Sequence, residues 1–230
     1  MLEEVAHRGA GVTAKEVVRA SGIPSATTYR LLNILVAEGY LLRMPDLHGF
    51  ALGQKVNDLV GGAAAPPTVC YAARTTLNEL RSRIRFGVHL VLYGATSIRV
   101  ADSDPDHPFT SAALITRYLH ASAIGRIYLA EQIDWRAIWP EAWLRAATDR
   151  TTTNPAAIDA VLRDVRARGY ARQSGELRTD TACLAVPVRS HSAGLVAAIA
   201  LSAPVDRAEA LEPLVDAVHA CAHILGPLVS

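Results

Sequence analysis

The stretch from residue 13 to residue 52 constrains the fold more than any other part of the chain, because it has the order helix, three-residue turn, helix and hairpin. Thr13 followed by Glu16 is the capping-box pattern of a helix start. Gly22 can end that helix because glycine readily adopts a positive φ, and Pro24 suits the first turn of the next helix. A short turn of this kind lets a second helix project into the major groove of DNA. The spacing therefore predicts a helix-turn-helix.

The second helix of this pair is predicted to be amphipathic, from Ser25 to Glu38. Its apolar stripe should pack on the first helix and consists of Thr28, Leu31, Leu32 and Leu35. Its polar positions are left for solvent or DNA, and they are Ser25, Thr27, Tyr29, Arg30 and Asn33. We expect these polar side chains to read the DNA.

A β-hairpin follows the second helix and forms the wing of a winged helix. Gly39 ends the helix, Tyr40–Arg43 and Phe50–Leu52 have strand character, and turn residues separate the two runs. Arg43 and His48 are expected on the wing, near the DNA backbone or the minor groove.

Charge gives little support to DNA binding. Residues 1–60 hold six basic and six acidic side chains, so there is no net basic patch. Attraction to phosphate would depend on Arg30, Arg43 and helix amino termini. A helix pair that only packs a small core stays open as the alternative.

These residues resemble the IclR family of bacterial transcription regulators. The family's recognition-helix pattern corresponds to residues 23–32 here, Ile-Pro-Ser-Ala-Thr-Thr-Tyr-Arg-Leu-Leu, and Gly39-Tyr40 and Phe50–Gly53 correspond to its wing. Ser25 and Ala26 stand where the family often has a cation and a serine. The resemblance implies a dimer, and a pair of dimers in some members. The family usually has a longer first helix that helps the DNA-binding domains to dimerise, whereas here only Leu2 and Val5 precede Gly9 as apolar helix positions. Either the start is truncated or dimerisation uses the Gln54–Val60 helix.

Composition predicts a soluble, cytoplasmic protein with no membrane partner. Half of the 230 residues are hydrophobic and the net charge is +1. The longest apolar stretch, from Gly194 to Val205, is too short to span a bilayer. Cys70, Cys183 and Cys221 lie far apart, which argues against a disulfide framework or a zinc site and fits reduced thiols.

The rest of the chain predicts a second domain of the α+β class with an antiparallel sheet. Residues 54–67 combine a short helix, Gln54–Val60, with a Gly-, Ala- and Pro-rich linker. Helical stripes are predicted over 69–84, 154–169 and 211–225, and strands over 88–93, 98–101, 184–189 and 195–201. We assign the winged helix to residues 1–53, the linker to 54–67 and the second domain to 68–230.

This second domain resembles the IclR effector domain, a GAF-like sensor fold. The resemblance rests on His120–Arg126, Gly169-Tyr170, Gly175-Glu176 and Cys183–Val188, in the family's order. By position it implies an effector pocket formed by Ala123, Ile124, Gln173, Cys183, Ala200 and Ser202. Of these, Cys183 and Ser202 keep the residue types of members that bind small keto acids. The changes at the other positions favour an acid with an apolar body.

No enzyme motif stands out. The chain lacks Gly-x-Ser-x-Gly, a phosphate-binding Gly-rich loop and His-Glu-x-x-His. Residues 102–106 begin like a calcium loop, but His107 and Ala113 occupy the glycine and glutamate positions. We expect a solvated turn there.

Two groups of side chains have the residue types of a catalytic dyad or a metal pair. Cys183 could form a dyad with His89 or His191, and His219 and His223 lie one helical turn apart as a metal pair would. Scattered histidines are more often structural, so we expect no catalytic residue, no metal and no cofactor.

The sequence thus predicts a transcription regulator that binds a double-stranded DNA operator and a small-molecule, carboxylate-like effector. The alternative is a small-molecule-binding or hydrolytic domain fused to a winged helix that serves protein contacts.

Overall fold

The computed structural model describes residues 1–9, 11–44, 49–53, 55–56, 69–94, 98–107, 109, 112–190 and 194–229. The chain divides into two compact units, Met1–Ala65 and Pro66–Ser230. Of the predicted helix Gln54–Val60, Lys55 and Val56 are helical and the remainder lies outside the described residues, as does the predicted linker 61–67.

The first unit has the predicted element order. Its elements are α1 (Leu2–Arg8), α2 (Ala14–Ser21), α3 (Ser25–Ala37), β1 (Leu41–Met44) and β2 (Gly49–Leu52). The Thr13–Glu16 capping box is formed at the start of α2, and Gly22 ends that helix in the left-handed region with φ 66°. Pro24 is the N-cap of α3, directly before the predicted first helical residue Ser25.

One small core holds the first unit together. Its buried side chains come from every element and from the segment before α2: Val5, Val12, Ala14, Val17, Leu32, Leu41 and Phe50. β1 and β2 pair antiparallel with Leu41 opposite Leu52. Val12 adds a bridge to Phe50, which the sequence pattern did not predict. The result is a winged helix whose wing is anchored to the chain ahead of α2.

The second unit alternates helices and strands around one sheet. Its helices are α4 (Tyr71–Arg83), α5 (Ala112–Arg117), α6 (Ala123–Ala130), α7 (Trp135–Ile138), α8 (Pro155–Arg168) and α9 (Val215–Leu225). Its strands are β3 (Gly87–Tyr93), β4 (Ile98–Asp102), β5 (Ala171–Ser174), β6 (Thr181–Ser190) and β7 (Gly194–Pro204). Short 3-10 segments cover Leu119–Ala121, Glu141–Trp143, Val205–Leu214 and Gly226–Leu228.

In the described part of the chain the sheet has five strands in the order β4-β3-β7-β6-β5, and all neighbouring strands are antiparallel. Strand residues alternate between two cores because successive side chains point to opposite faces. One core packs α4 and α9 on one face, and the other packs α5 to α8 on the opposite face. The α+β prediction is confirmed. Within the described residues, no helix combines the length and apolarity needed to cross a bilayer.

The predicted last helix begins later than expected. The stripe starting at Leu211 lies first in the 3-10 segment Val205–Leu214, and the α-helix begins at Val215. Pro213 explains this difference, because it lacks the amide hydrogen that an α-helix needs and crowds the preceding turn.

Candidate functional site

The outward face of α3 carries the helix side chains that were predicted to contact DNA. All five positions are exposed: Ser25, Thr27, Tyr29, Arg30 and Asn33. On the opposite face Thr28 and Leu32 are fully buried, and Thr28 Oγ1 donates to the Ile23 carbonyl at 3.2 Å. This burial fixes which face of α3 meets solvent.

The prediction that Leu31 belongs to the buried stripe is wrong, since its side chain is 36% exposed. Thr28, Leu32 and the half-buried Leu35 fill the inward line of α3, and Leu31 lies at the edge of that line. Ile34 is also exposed. The surface of this helix is therefore more apolar than the sequence pattern implied.

Arg43 connects the wing to α3. Its Nη2 donates to Asn33 Oδ1 at 2.8 Å, and its guanidinium lies 5.3 Å above the centre of the Phe50 ring. A guanidinium has five N–H donors, so this contact orients the side chain and leaves others for a ligand. His48, the other wing residue of the prediction, lies outside the described residues.

A row of three polar side chains crosses the sheet of the second unit. Gln173 on β5 faces Cys183 on β6, and Cys183 faces Ser202 on β7. Ala123 and Ile124, at the start of α6, lie against this row and share a pocket with it. We call this cavity the sheet pocket; it is lined by His89, Phe109, Ile115, Ser122, Ala123, Ile124, Gln173, Leu177, Thr181, Ala182, Cys183 and Ser202.

The sheet pocket is small, with a volume of about 30 Å³. This is space for one or two water molecules. No lysine, arginine, aspartate or glutamate is among its described lining residues. An organic ligand would have to displace some of the lining, so its binding would be coupled to a change in the protein.

His89 is the polar partner of Ser202. Its side chain is fully buried, its Nε2 lies 3.0 Å from Ser202 Oγ, and its Nδ1 accepts the amide hydrogen of Asp104 at 3.2 Å. Burial lowers the pKa of His89 to about 4, so the ring is neutral at pH 7. Its place in the pocket was not predicted from the sequence. A histidine inside the apolar run Val88–Val91 was the available signal, because a buried polar side chain needs partners.

Cys183 does not have the environment of a nucleophile. Burial raises the pKa of its thiol to about 12, which leaves it protonated. Among the described residues, its Sγ donates only to the neighbouring Leu184 carbonyl, at 3.8 Å, and His89 pairs with Ser202 instead. The dyad with His89 is therefore absent, and His191 lies outside the described residues.

Gln173 shapes the turn that follows β5. Its side chain is buried, and its Oε1 accepts the amide hydrogens of Glu176 at 3.1 Å and Leu177 at 3.4 Å. Its Nε2 has no acceptor among the described residues. The glutamine thus keeps the acceptor function that a carboxylate would have at this position, without the negative charge.

The start of α6 is fixed against the sheet pocket. Ser122 caps the helix by accepting the Gly125 amide at 2.9 Å, and the Tyr93 hydroxyl donates to the Ile124 carbonyl at 2.7 Å. Gly125 is required here because a Cβ would overlap the backbone of Leu119. The amides of Ala123 and Ile124 precede the intrahelical hydrogen bonds, as in any first turn.

Two of the sequence motifs meet in a partly buried ion pair. Arg126, which is 4% exposed, pairs through Nη1 and Nη2 with the Glu176 carboxylate. Its other donors reach the Arg172 carbonyl at 2.7 Å and the His120 carbonyl at 2.8 Å. These bonds tie α6 to the edge strand β5 and to the turn after it.

Five of the six predicted effector residues line the sheet pocket, and Ala200 does not. Ala200 lies opposite His89 in the sheet and is packed into the core on the α6 face. Ala200 and Ser202 lie two residues apart on the same strand and point to the same face, so their sequence pattern does not distinguish them. The strand pairing does, because it places Ser202 opposite Cys183 and Ala200 opposite Ala185. Seven lining residues were not predicted as pocket residues: His89, Phe109, Ile115, Ser122, Leu177, Thr181 and Ala182.

The prediction of a solvated turn over residues 102–106 is wrong for Asp104, which is only 5% exposed. Its carboxylate accepts the amides of Val88 at 3.2 Å and Asp106 at 3.0 Å, and it lies 3.7 Å from Arg81. Within the described part of the chain, no three side chains among His, Cys, Asp and Glu are grouped as metal ligands would be.

Sequence comparisons identify both units. The model of the bacterial transcriptional regulator IclR C-terminal domain matches residues 68–225, and the model of the IclR helix-turn-helix domain matches residues 1–45. The chain is 26% identical over 202 residues to the HTH-type transcriptional regulator XynR of Escherichia coli, covering 86% of this chain and 80% of that protein. It is 26% identical over 222 residues to KdgR of the same organism, covering 94% and 84%.

A solved structure agrees with this fold. An IclR homologue from Microbacterium hydrocarbonoxydans, complexed with 4-hydroxybenzoate, matches with a TM-score of 0.59 at 21% identity, covering 99% of this chain and 97% of that one. The curated relatives are transcription regulators, as the sequence analysis expected, and not enzymes. Since both family models match in order and together span most of its length, the chain belongs to the IclR family of DNA-binding transcription regulators.

Proposed function

We propose that this regulator binds its operator through α3 and the wing, and that an acid bound in the sheet pocket modulates this binding. The observation that carries the DNA assignment is the exposed face of α3, on which every predicted contact residue meets solvent. We further propose the domain limits 1–53, 54–67 and 68–230 for the winged helix, the linker and the effector domain.

Thr27 and Arg43 are assigned different tasks at the DNA. A side chain that bonds a base edge contributes roughly 1–3 kcal/mol of discrimination, whereas a phosphate contact strengthens binding to all sequences alike. Thr27→Ala should therefore reduce discrimination between operator and mutated operator. Arg43→Ala should weaken binding to both and lower the slope of log affinity against log salt by about 1.

The experiment is a selection of binding sites from a random duplex library, followed by fluorescence anisotropy with the selected site. Arg83→Ala is the matched control, because it removes one exposed arginine from the second unit. If Thr27→Ala and Arg43→Ala bind like the parent chain, or if Arg83→Ala is equally impaired, the assigned interface is wrong.

We propose that two copies act together on DNA. One winged helix offers few contacts, and specific binding is usually achieved by symmetric dimers that read half-sites about one helical turn apart. The family resemblance implies that two such dimers pair in some members. Light scattering at micromolar concentration, with and without the selected duplex, tests this. A monomer under both conditions contradicts it.

The sheet pocket suits an acid with an apolar body. Phe109, Ile115 and Leu177 supply apolar walls, and the first amides of α6 can donate to an anionic head group. The described lining residues include no carboxylate that would repel an anion. The IclR homologue of similar fold that was solved with 4-hydroxybenzoate supports this ligand class.

Isothermal titration calorimetry with 4-hydroxybenzoate, phenylacetate, pyruvate and glyoxylate tests the ligand class. The aromatic acids should bind more tightly than the keto acids, because they bury more apolar surface. Ser202→Leu should abolish binding by placing a bulky apolar side chain in the sheet pocket. Tighter binding of a keto acid, or binding indifferent to Ser202→Leu, would refute the assignment.

A further inference from the structure

The protonation of His89 is fixed by its surroundings. The backbone amide of Asp104 donates to Nδ1 at 3.2 Å, and Ser103 Oγ lies 3.4 Å from the same atom. A ring nitrogen that accepts a hydrogen bond carries no hydrogen, so the single proton of the neutral imidazole is on Nε2.

The hydrogen bond between His89 and Ser202 therefore has a defined direction. Nε2–H donates, and Ser202 Oγ accepts at 3.0 Å. A serine hydroxyl has one hydrogen and two lone pairs, so this bond leaves its hydrogen free. Among the described residues, Ser202 Oγ has no acceptor for that hydrogen, and Ser202 lines the sheet pocket.

Gly87 makes this arrangement possible. It lies directly opposite Ser202 in the sheet, and a Cβ at this position would collide with Ser202 Oγ and lie 2.8 Å from His89 Nε2. The imidazole occupies the space that a side chain at position 87 would fill. Asp104, whose amide orients the ring, is held in turn by the amides of Val88 and Asp106.

We propose that His89 determines the specificity of the sheet pocket by making the Ser202 hydroxyl a hydrogen-bond donor toward the ligand. A ligand acceptor at Ser202, such as a carboxylate or carbonyl oxygen, then takes up the free hydroxyl hydrogen, whereas a donor-only group such as an ammonium leaves that hydrogen without a partner and binds less tightly. His89 is a positioning residue, because it acts through Ser202. The inference rests on the proposed function, in that the sheet pocket must bind an effector.

The first measurement needs no ligand. Long-range ¹H–¹⁵N correlation spectra of the full-length chain at pH 7 should show His89 with a protonated Nε2 and an unprotonated Nδ1. The spectrum of His89→Gln identifies its signals by their loss, and Ser202→Ala should move the Nε2 resonance. A protonated Nδ1 would overturn the inference whatever the pocket binds.

The second measurement is a double-mutant cycle on the affinity for benzoate, 4-hydroxybenzoate and phenylacetate, with benzylamine as the donor-only probe. Ser202→Ala should weaken acid binding roughly tenfold or more, since a hydrogen bond to a charged group is lost. His89→Leu should weaken it too and let benzylamine compete better. His89→Gln, which retains an N–H donor, should preserve the preference for the acids.

The outcomes distinguish the role of His89 from the binding of acids in the sheet pocket. If His89 acts through Ser202, the double variant His89→Leu/Ser202→Ala should bind no worse than Ser202→Ala alone. Additive losses, or an unchanged acid preference in His89→Leu, would refute the role of His89 while the effector pocket stands. If none of the acids binds the parent chain, the proposed ligand class fails and the inference fails with it. Melting temperatures of all variants identify any that do not fold.

Discussion

Lowering the pH should destabilise the second unit through His89. The pKa of this histidine falls from 6.5 to about 4 on folding, because burial removes the water that stabilises the charged ring. Asp104 and Asp102 favour the charged ring, whereas Arg81 and His107 oppose it. These charges do not offset the cost of burial.

The direction of the effect follows from proton uptake. Above pH 6.5 the ring is neutral in both the folded and the unfolded chain. Between pH 6.5 and 4 only the unfolded chain takes up a proton at this site, so the free energy of unfolding falls as the pH falls. With about 1.4 kcal/mol for each pKa unit, His89 removes about 3 kcal/mol of stability by pH 4.

Tryptophan fluorescence provides a selective assay. Trp135, Trp139 and Trp143 all lie in the second unit, so urea unfolding followed by their fluorescence reports on that unit. The parent chain and His89→Gln should be compared at pH 7 and pH 4. Other groups, including the buried His120 whose pKa is also lowered by burial, are present in both chains and cancel in the difference.

The parent chain should lose about 3 kcal/mol more than His89→Gln between pH 7 and pH 4. His107→Gln is the control, because this exposed histidine lies beside the same Asp104 carboxylate and its removal should leave most of the pH dependence in place. If the parent chain and His89→Gln lose stability in parallel, His89 is not held neutral in the folded state.

Three further predictions concern single residues. Thr13→Ala should destabilise the first unit by about 1 kcal/mol, measured by thermal unfolding, because α2 loses its capping box. Gly125→Ala should lower the urea midpoint of the tryptophan transition markedly, by about 2 kcal/mol or more, since the new Cβ would overlap the Leu119 backbone. Iodoacetamide at pH 8 should alkylate Cys70 well before Cys183, because Cys70 is exposed and burial keeps the Cys183 thiol protonated. Mass spectrometry of the peptides measures both alkylation rates, and equal rates would contradict this prediction.

The parts of the fold that depend on neighbours in sequence were predictable. The sequence marks helix ends at Thr13, Gly22, Asn154 and Gly169, and the structure has helix ends at these residues. Asn154 caps α8, and Gly169 ends that helix at φ 76°. These signals operate within one helical turn. No knowledge of the tertiary fold is needed to interpret them.

The parts that depend on strand pairing were not predictable from the residues alone. Gln173, Cys183 and Ser202 form a row only because β5, β6 and β7 pair in one register, and the family resemblance supplied these positions. A shift of one residue would turn the side chains of a strand to the other face. The burial of Asp104 was not predicted either, because its partners Val88 and Arg81 are distant from it in sequence.

The polar groups of the sheet pocket favour an anion although its described lining residues include no lysine or arginine. The Ser202 hydroxyl and the Gln173 Nε2 have hydrogens without acceptors among the described residues, and the first amides of α6 add to them. Donors of this kind hold anions at helix amino termini without a formal positive charge. Apolar walls strengthen such bonds by excluding water. A compact keto acid would use the donors but would not fill the space opened between those walls, whereas an aromatic acid would bury further apolar area at about 25 cal/mol per Å². The proposed preference for an apolar-bodied acid follows from this combination of free donors and apolar walls.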